Sequence, residues 1–155
     1  MDDKKLIIGM PAGSLADPNR GGNLINLLKM AGFPTKGYDQ GGPTTFPLHA
    51  FLIGWDGRPQ EFGTQLDLGE LDLAIAGDDW ILERKLELQL EYNKDCNLKR
   101  ILSLGRGAVR LVIIYNPVDQ SNISFNEWFK NLIETKSLVT MVAEMPYIAL
   151  NWFKN

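Results

Sequence analysis

Two glycine-containing loops, each placed directly after a short apolar run, carry the residue types of a ligand-binding site, and the first of them could receive an anion. The first loop contains Gly13, Ser14 and Leu15, and the second contains Gly77, Asp78 and Asp79. Glycine allows the backbone to approach a ligand closely, and ligands of open α/β sheets bind at the carboxyl ends of strands. The spacing therefore predicts a binding site built from strand-exit loops. For the first loop, a tight connection without a ligand is the alternative interpretation.

The elements around the first loop are predicted from the apolar pattern. Leu6–Met10 is typical of a strand buried on both faces of a parallel sheet. Asp17 and Pro18 have the residue types of a helix cap and a first helical position, so a helix is predicted to follow them. Its buried stripe comprises Leu24, Ile25, Leu27, Leu28 and Ala31, and Gly32 ends it.

The second loop lies inside the most regular stretch of the chain. Helical spacing predicts a helix over Gln60–Leu68 that Gly69 ends, followed by a strand over Leu71–Ile75. A short helix is predicted from Trp80 to Glu83. The strict alternation over Leu86–Glu91 then predicts an amphipathic strand.

The remaining segments complete an α/β fold. Strands are predicted over His49–Trp55, Leu98–Leu104, Val109–Tyr115 and Leu138–Ala143, with a turn at Asp56–Gly57. Ser124 and Glu127 have capping-box spacing and open a helix through Lys136, whose inward residues are Trp128, Phe129, Leu132 and Ile133. Pro146 begins a last helix. A boundary near Lys99 divides the chain into a first lobe, 1–98, and a second, 99–155.

Composition excludes several classes of function. A formal net charge of -3 and a pI near 5.2 argue against a nucleic-acid-binding protein, which needs a basic face. One cysteine, Cys96, excludes an internal disulfide and a cysteine-rich metal site. His49, without a second histidine, indicates a structural residue more strongly than a catalytic or metal-binding one. No signal peptide or membrane span is evident, so a cytoplasmic protein is expected.

Four segments in order resemble the catalytic chain of the ATP phosphoribosyltransferase family, the first enzyme of histidine biosynthesis. LIIGMPAGSLADP is similar to the family's opening strand and loop, and the stretch Arg58–Glu83 resembles its Arg-Pro-Gln-Asp/Glu, Asp-Leu-Gly and Asp-Trp pattern. LSLGRGAVRLVIIYNP resembles the entry into the second lobe, with Arg110 matched. VTMVAEMPYIALNWF is similar to a strand-to-helix step, with Glu144 and Pro146 matched.

The resemblance implies two α/β lobes like a type II periplasmic binding protein, with the active site in a cleft. It implies transfer of phosphoribosyl from 5-phosphoribosyl 1-diphosphate to ATP, with release of diphosphate and Mg²⁺ bound with the substrate. Substrate-binding positions would be Gly13, Ser14, Leu15, Gly77, Asp78, Asp79, Arg110 and Glu144. A homo-oligomer is expected, and a regulatory subunit resembling a histidyl-tRNA synthetase is a further expected partner.

Two departures from the family keep other hypotheses open. Ala12 and Ser14 stand where the family has lysine and arginine, a loss for which Arg20 could compensate. The family's phosphoribosyl diphosphate loop has no counterpart here, so the second lobe is expected to be incomplete. A non-catalytic nucleotide-, anion-binding or regulatory module is the second hypothesis. A small α/β domain whose last helix, Pro146 to Phe153, packs in an oligomer is the third.

No general base is evident in the sequence. Asp79 and Glu144 are candidates near the expected cleft, and ordinary solvated carboxylates or helix caps are the equal alternative.

Overall fold

The computed structural model describes residues 4–17, 19, 22–38, 43–114 and 123–154. Two compact units divide them. One comprises the described residues up to Gly107 together with those from Met145 onward, and the other comprises those of Ala108–Glu144. The predicted lobe boundary at residues 98 and 99 stays a prediction.

A four-stranded mixed sheet forms the centre of the first unit. Its strands are β1 (Leu6–Pro11), β2 (Pro43–Thr45), β3 (Leu52–Gly57) and β4 (Leu73–Ala74), in the order β2-β3-β1-β4. β1 is parallel to both β3 and β4, and β2 is antiparallel to β3. The predicted parallel strand at Leu6–Met10 is therefore confirmed, although its first residues, Leu6 and Ile7, are exposed.

The described residues contain five α-helices. They are α1 (Leu24–Met30), α2 (Pro59–Asp67), α3 (Asp78–Tyr92), α4 (Phe125–Thr135) and α5 (Pro146–Lys154). Of these, α4 belongs to the second unit. A 3₁₀ turn, Gly13–Leu15, follows β1. The architecture is thus mixed α/β, as predicted.

The apolar residues of α1 pack on one face of the sheet. Leu24 is buried beside Met10, Tyr38 and Phe46, and the partly buried residues Ile8, Ile25, Leu27, Leu28, Phe33, Leu52 and Ile75 surround them. Ala31, predicted as part of the buried stripe, is exposed at the end of the helix, and Gly32 follows with φ +86°. The helical spacing therefore identified most of the buried face.

Phe62 of α2 fills the space against β1 and β3. Its side chain is fully buried. A Cβ at Gly9 would lie 3.3 Å from the Phe62 ring, and a Cβ at Gly57 would lie 2.9 Å from it. At Gly57 the Phe62 ring occupies the volume of a side chain. At Gly9 the nearest obstacle is Cδ1 of Leu71, 2.8 Å from the Cβ position, with the ring beside it.

The predicted strand at Leu86–Glu91 is wrong, because α3 continues without interruption from Asp78 to Tyr92. Leu86 and Leu88 are both buried. They lie about 200° apart around a helix, so a helix that buries both must contact neighbours on two sides. α3 packs against both α2 and α5, which produces the alternating pattern without a strand.

Other predicted boundaries also differ from the structure. β3 begins at Leu52 rather than His49, and Asp56 and Gly57 continue it instead of forming a turn. The helix expected after Asp17 begins only at Leu24, and Pro18 lies outside the described residues. In the described part of the chain, residues 98–114 and 138–143 form no strand, and Tyr115 is not described.

The predicted capping box of α4 and the predicted start of α5 at Pro146 are confirmed. Ser124 accepts a hydrogen bond from the Glu127 amide, and the Glu127 carboxylate accepts one from the Ser124 amide. The bonds that the Ser124 amide and hydroxyl donate to the Glu127 carboxylate lower the pKa of Glu127. The predicted inward residues Trp128, Phe129 and Leu132 are partly buried, whereas Ile133 is exposed.

None of the helices in the described part of the chain has both the length and the apolar character needed to cross a membrane.

A buried tyrosine gives the fold a dependence on alkaline pH. Burial raises the pKa of Tyr38 above its ordinary value of 10.0, and the charge of Asp56 adds to the effect. The unfolded chain therefore loses this proton first, so the contribution of Tyr38 to stability is complete below about pH 10 and is lost as the pH rises. Urea denaturation between pH 8 and 11 should show a smaller alkaline decline for Tyr38→Phe than for wild type. The exposed control Tyr92→Phe should retain the wild-type decline, and equal declines in all three proteins would contradict the assignment.

Candidate functional site

Three adjacent parallel strands end at the same edge of the sheet. β1 continues into Ala12 and the 3₁₀ turn, β3 into Arg58 and α2, and β4 into Gly77 and α3. The strand order places β1 between β3 and β4. This carboxyl edge therefore brings together two loops that the sequence predicts as a site, the one at Gly13–Leu15 and the one at Gly77–Asp79.

The first loop turns sharply because of its glycines. Gly13 has φ +80°, which side-chain-bearing residues rarely adopt, and its carbonyl accepts from the amides of Ala16 and Asp17. Gly13 and Ser14 are exposed, and Leu15 is half-buried. A Cβ at Gly22 would collide with the backbone of Leu15. The loop therefore exposes Gly13 and Ser14, while the backbone of Leu15 packs against Gly22.

The second loop folds a carboxylate back over its glycine. Gly77 has φ −71° and ψ 143°, an extended conformation open to any residue. A Cβ there would collide with Oδ1 of Asp79, and the same oxygen accepts a hydrogen bond of 2.9 Å from the Trp80 amide. Gly77 is therefore needed for the placement of the Asp79 carboxylate and has no conformational requirement of its own.

Asp78 has a partner in the segment that follows α3. Its Oδ2 lies 3.0 Å from the guanidinium of Arg100, and both side chains are largely exposed. Exposed ion pairs of this kind contribute about 0–1 kcal/mol to stability. The pair leaves Asp78 accessible at the edge while partly offsetting its negative charge.

Arg58 is a residue at this edge that was not predicted as part of the site. It follows β3 directly and is exposed, and its side chain does not cap α2. The sequence signal was present in the Arg-Pro-Gln motif. It could be placed at the site only once β3 was known to lie beside β1 and to run through Gly57.

Two side-chain hydrogen bonds lie near the ends of β1 and β3. The Tyr38 hydroxyl donates to the Pro11 carbonyl at 2.6 Å, and the Thr44 hydroxyl donates to Oδ1 of Asp56 at 2.6 Å. Tyr38 is 3% exposed and Thr44 is 0% exposed. These bonds hold the strand ends from which the loops emerge, and the sequence analysis predicted neither of them.

Two predicted site residues belong to the second unit. Arg110 and Glu144 lie within Ala108–Glu144, and both are exposed. The sheet of the first unit therefore does not position them. Arg20, the other cation considered, lies outside the described residues.

The carboxylate that caps α5 is Glu83 of α3 and not Glu144. Oε1 of Glu83 accepts from the Tyr147 amide and Oε2 from the Ile148 amide, each at 2.8 Å. Glu83 is only 8% exposed. The contact joins two of the four family-like segments and attaches α5 to α3 of the same chain.

His49 makes structural contacts. Its Nε2 lies 3.0 Å from the Gly32 carbonyl, and its ring stacks on Phe33 with a centroid distance of 4.4 Å. Among the described residues, no group of three or more histidine, cysteine, aspartate or glutamate side chains could hold a metal ion.

Comparison with known proteins gives one partial similarity. No protein-family model matches the chain. The chain is similar to the ATP phosphoribosyltransferase of Chlorobium chlorochromatii (strain CaD3), with 32% identity over 103 residues, covering 60% of this chain and 31% of that protein. The chain thus spans about a third of the length of that curated relative. The similarity suggests the family, over part of the chain.

Proposed function

We propose that the chain is an ATP phosphoribosyltransferase-like protein that transfers phosphoribosyl from 5-phosphoribosyl 1-diphosphate to ATP and releases diphosphate, the first step of histidine biosynthesis. The observation that carries this is the convergence of the loops after β1, β3 and β4 on one sheet edge. All three loops carry family-like motifs. The partial similarity to a phosphoribosyltransferase supports the same function.

The groups at the edge suit a ligand that carries both phosphate and ribose. The 3₁₀ turn has no side-chain cap at Ala12, so its first backbone amides could face an anion. α2 offers fewer amides, because Pro59 has none, the Glu61 amide donates to the Arg58 carbonyl, and Glu61 places a carboxylate in the first turn. Arg58 adds a positive charge. Asp78 and Asp79 make the start of α3 acidic, which suits ribose hydroxyls or a cation rather than a phosphate.

Such a site would act mainly by positioning and charge stabilisation. In the proposed reaction the bond between the anomeric carbon and diphosphate breaks while a ring nitrogen of adenine attacks. The transition state has oxocarbenium character, so the chain would need to hold two anionic substrates in line and stabilise the departing diphosphate.

Magnesium would enter this site with its substrate. Mg²⁺ in phosphate chemistry is commonly held by one or two carboxylates together with substrate phosphates, and Asp78 and Asp79 supply two carboxylates at the edge. When bound, the ion neutralises charge on the diphosphate.

The wider architecture and the partners are part of the same hypothesis. The mixed sheet would be the first lobe of a two-lobe fold like the type II periplasmic binding proteins. A homo-oligomer and a regulatory subunit resembling a histidyl-tRNA synthetase would be the protein partners. Light scattering of the purified chain tests the first of these partners.

A second function, a nucleotide- or anion-binding module without transfer activity, is favoured by one observation. Ala12 and Ser14 occupy the first loop where the family has cations. Without them, the transition-state charge has fewer stabilising groups. Binding of ATP with no transfer would identify this function.

The experiment that tests the proposed function measures binding and turnover on the same protein. Calorimetry with ATP and with 5-phosphoribosyl 1-diphosphate, each with Mg²⁺, reports binding, and diphosphate release in the presence of both reports transfer. Turnover supports the transferase. If neither ligand binds at millimolar concentration, both the transferase and the binding module are excluded.

Gly77→Ala should weaken ligand binding without unfolding the protein. The new methyl group displaces the Asp79 carboxylate, which then loses its proposed hydrogen bond to the ligand. A hydrogen bond to a charged group is worth about 1.5–3 kcal/mol. Its loss corresponds to an increase in the ligand's Kd of about tenfold or more. Asp79→Asn should weaken binding in the same direction. Both dissociation constants are measured by calorimetry.

Glu70→Gln is the matched control, because Glu70 is an exposed carboxylate that precedes β4 at the opposite end of the strand. It should bind like wild type. Wild-type affinity in both Gly77→Ala and Asp79→Asn would remove the second loop from the site.

A further inference from the structure

We propose that Tyr38 is a positioning residue for the first exit loop, because its hydroxyl holds the peptide group that leads into Gly13. The role rests on the proposed function, in which that loop receives an anionic substrate. Tyr38 itself touches no substrate in this assignment. It acts through the backbone at the end of β1.

The peptide between Pro11 and Ala12 is held at both of its polar atoms. The Pro11 carbonyl accepts the Tyr38 hydroxyl at 2.6 Å. The Ala12 amide donates to the Gly57 carbonyl of β3 at 3.0 Å. Two bonds on opposite sides of one planar group fix its rotation about the strand axis.

The residue types explain why a side chain is needed at this point. Pro11 has no amide hydrogen, so it cannot donate a ladder bond at the end of β1. Pro11 is fully buried, and a buried carbonyl left without a partner is unfavourable. The Tyr38 hydroxyl fills this need from outside the sheet.

The hydrogen bond from Tyr38 to the Pro11 carbonyl lies close enough to Gly13 to affect the exit loop. Only Ala12 separates the fixed peptide from Gly13, which has φ +80° and begins the exposed 3₁₀ turn. Glycine rotates more freely than other residues, so a rotation of the preceding peptide would be passed on to the amides of Gly13 and Ser14. Holding the Pro11 carbonyl therefore preorganises the loop for a ligand.

The core contacts of Tyr38 make a conservative test possible. Its ring lies in the buried cluster with Met10, Leu24 and Phe46. Tyr38→Phe retains this ring and removes only the hydroxyl, so the variant is expected to fold. Loss of binding in it can then be assigned to the hydrogen bond.

β1 also provides a matched control at its other end. Oδ2 of Asp72 accepts the Ile7 amide at 2.8 Å. Asp72→Ala thus removes one side-chain bond to the backbone of the same strand, far from the exit loop. Its effect on the melting temperature measures what a merely structural bond to β1 contributes.

The test compares wild type, Tyr38→Phe and Asp72→Ala by two measurements. Calorimetry gives the Kd for 5-phosphoribosyl 1-diphosphate with Mg²⁺, and hydrogen exchange followed by NMR gives the protection of the Ala12 amide without ligand. Tyr38→Phe should raise the Kd about fivefold and lower the Ala12 protection about tenfold. Asp72→Ala should change neither the Kd nor the Ala12 protection by more than about twofold. Its melting temperature should fall by as much as that of Tyr38→Phe, or by more.

Unchanged Ala12 protection in Tyr38→Phe would overturn the positioning role, whatever the ligand does. Lower protection with an unchanged Kd would also overturn it, because the loop would then bind without being held. If wild type itself binds no 5-phosphoribosyl 1-diphosphate, the proposed function fails and the positioning role for substrate falls with it. The Ala12 measurement would still show separately whether Tyr38 holds the strand end.

Discussion

Phe62→Ala is expected to lower the free energy of unfolding by about 3–5 kcal/mol, the usual cost of removing a fully buried phenylalanine. The side chain of Phe62 is 0% exposed. Its ring lies against β1 at Gly9 and against β3 at Gly57, where glycines leave room for it. Neither glycine has a side chain that could refill the space, so we expect much of the cavity to remain. Urea denaturation followed by circular dichroism measures the loss.

Phe51→Ala is the matched control, because Phe51 is 50% exposed and precedes β3. It should cost about 1 kcal/mol or less. A loss below 1.5 kcal/mol for Phe62→Ala would mean that α2 relaxes onto the sheet. That result would contradict the close packing of α2 on β1 and β3.

Glu83→Ala is expected to lower the free energy of unfolding by about 2–4 kcal/mol and to release α5. The Glu83 carboxylate accepts two backbone amides at the start of α5, each at 2.8 Å. Bonds to charged acceptors contribute about 1.5–3 kcal/mol each, and a negative charge near a helix N-terminus adds to them. Losing both bonds leaves the two amides without an acceptor. Hydrogen exchange at Tyr147 and Ile148 would report the release directly.

Glu83→Gln separates the charge from the shape, because it retains one carbonyl acceptor. The fall in the free energy of unfolding of Glu83→Gln should be about half that of Glu83→Ala. Glu134→Ala is the surface control, because the Glu134 side chain is 60% exposed and its ion pair with Lys130, at 3.9 Å, is long. This substitution should lower the free energy of unfolding by about 1 kcal/mol or less. Wild-type protection of the two α5 amides in Glu83→Ala would show that other contacts hold the helix.

The sequence predicted the elements whose signals are local. α2 ends at Asp67, just before Gly69 with φ +73°, and α4 begins with its capping box. These signals act within a few residues of the chain. α3 was mistaken in part for a strand. Its buried residues Leu86 and Leu88 depend on where α2 and α5 pack, and no local pattern contains that information.

The strand predictions after α3 failed for a related reason. Val109–Ile114 is rich in β-branched residues, which favour a pleated and half-buried surface. In the structure these residues are exposed, and the described part of the chain pairs no strand with them. β propensity becomes structure only where a neighbouring strand accepts the backbone bonds.

The candidate site was also predictable only in its local parts. The two exit loops were found from glycines that follow apolar runs, and the parallel order of β1 and β4 brings them to one edge. Arg58 and Tyr38 were missed because β3 was placed too early and because the Tyr38 contact spans 27 positions. Whether these residues bind substrate stays a prediction.

The two bonds of Glu83 to α5 affect the order of folding as well as the stability of the fold. They join residues that are 64 and 65 positions apart. Closing a flexible loop of that length costs about 4 kcal/mol in chain entropy, a cost that is much lower once the intervening chain has condensed. α5 should therefore dock late in folding and detach early in unfolding. During that interval the apolar residues of α5 face water, and the exposure of a newly made chain to aggregation depends on how long the docking takes.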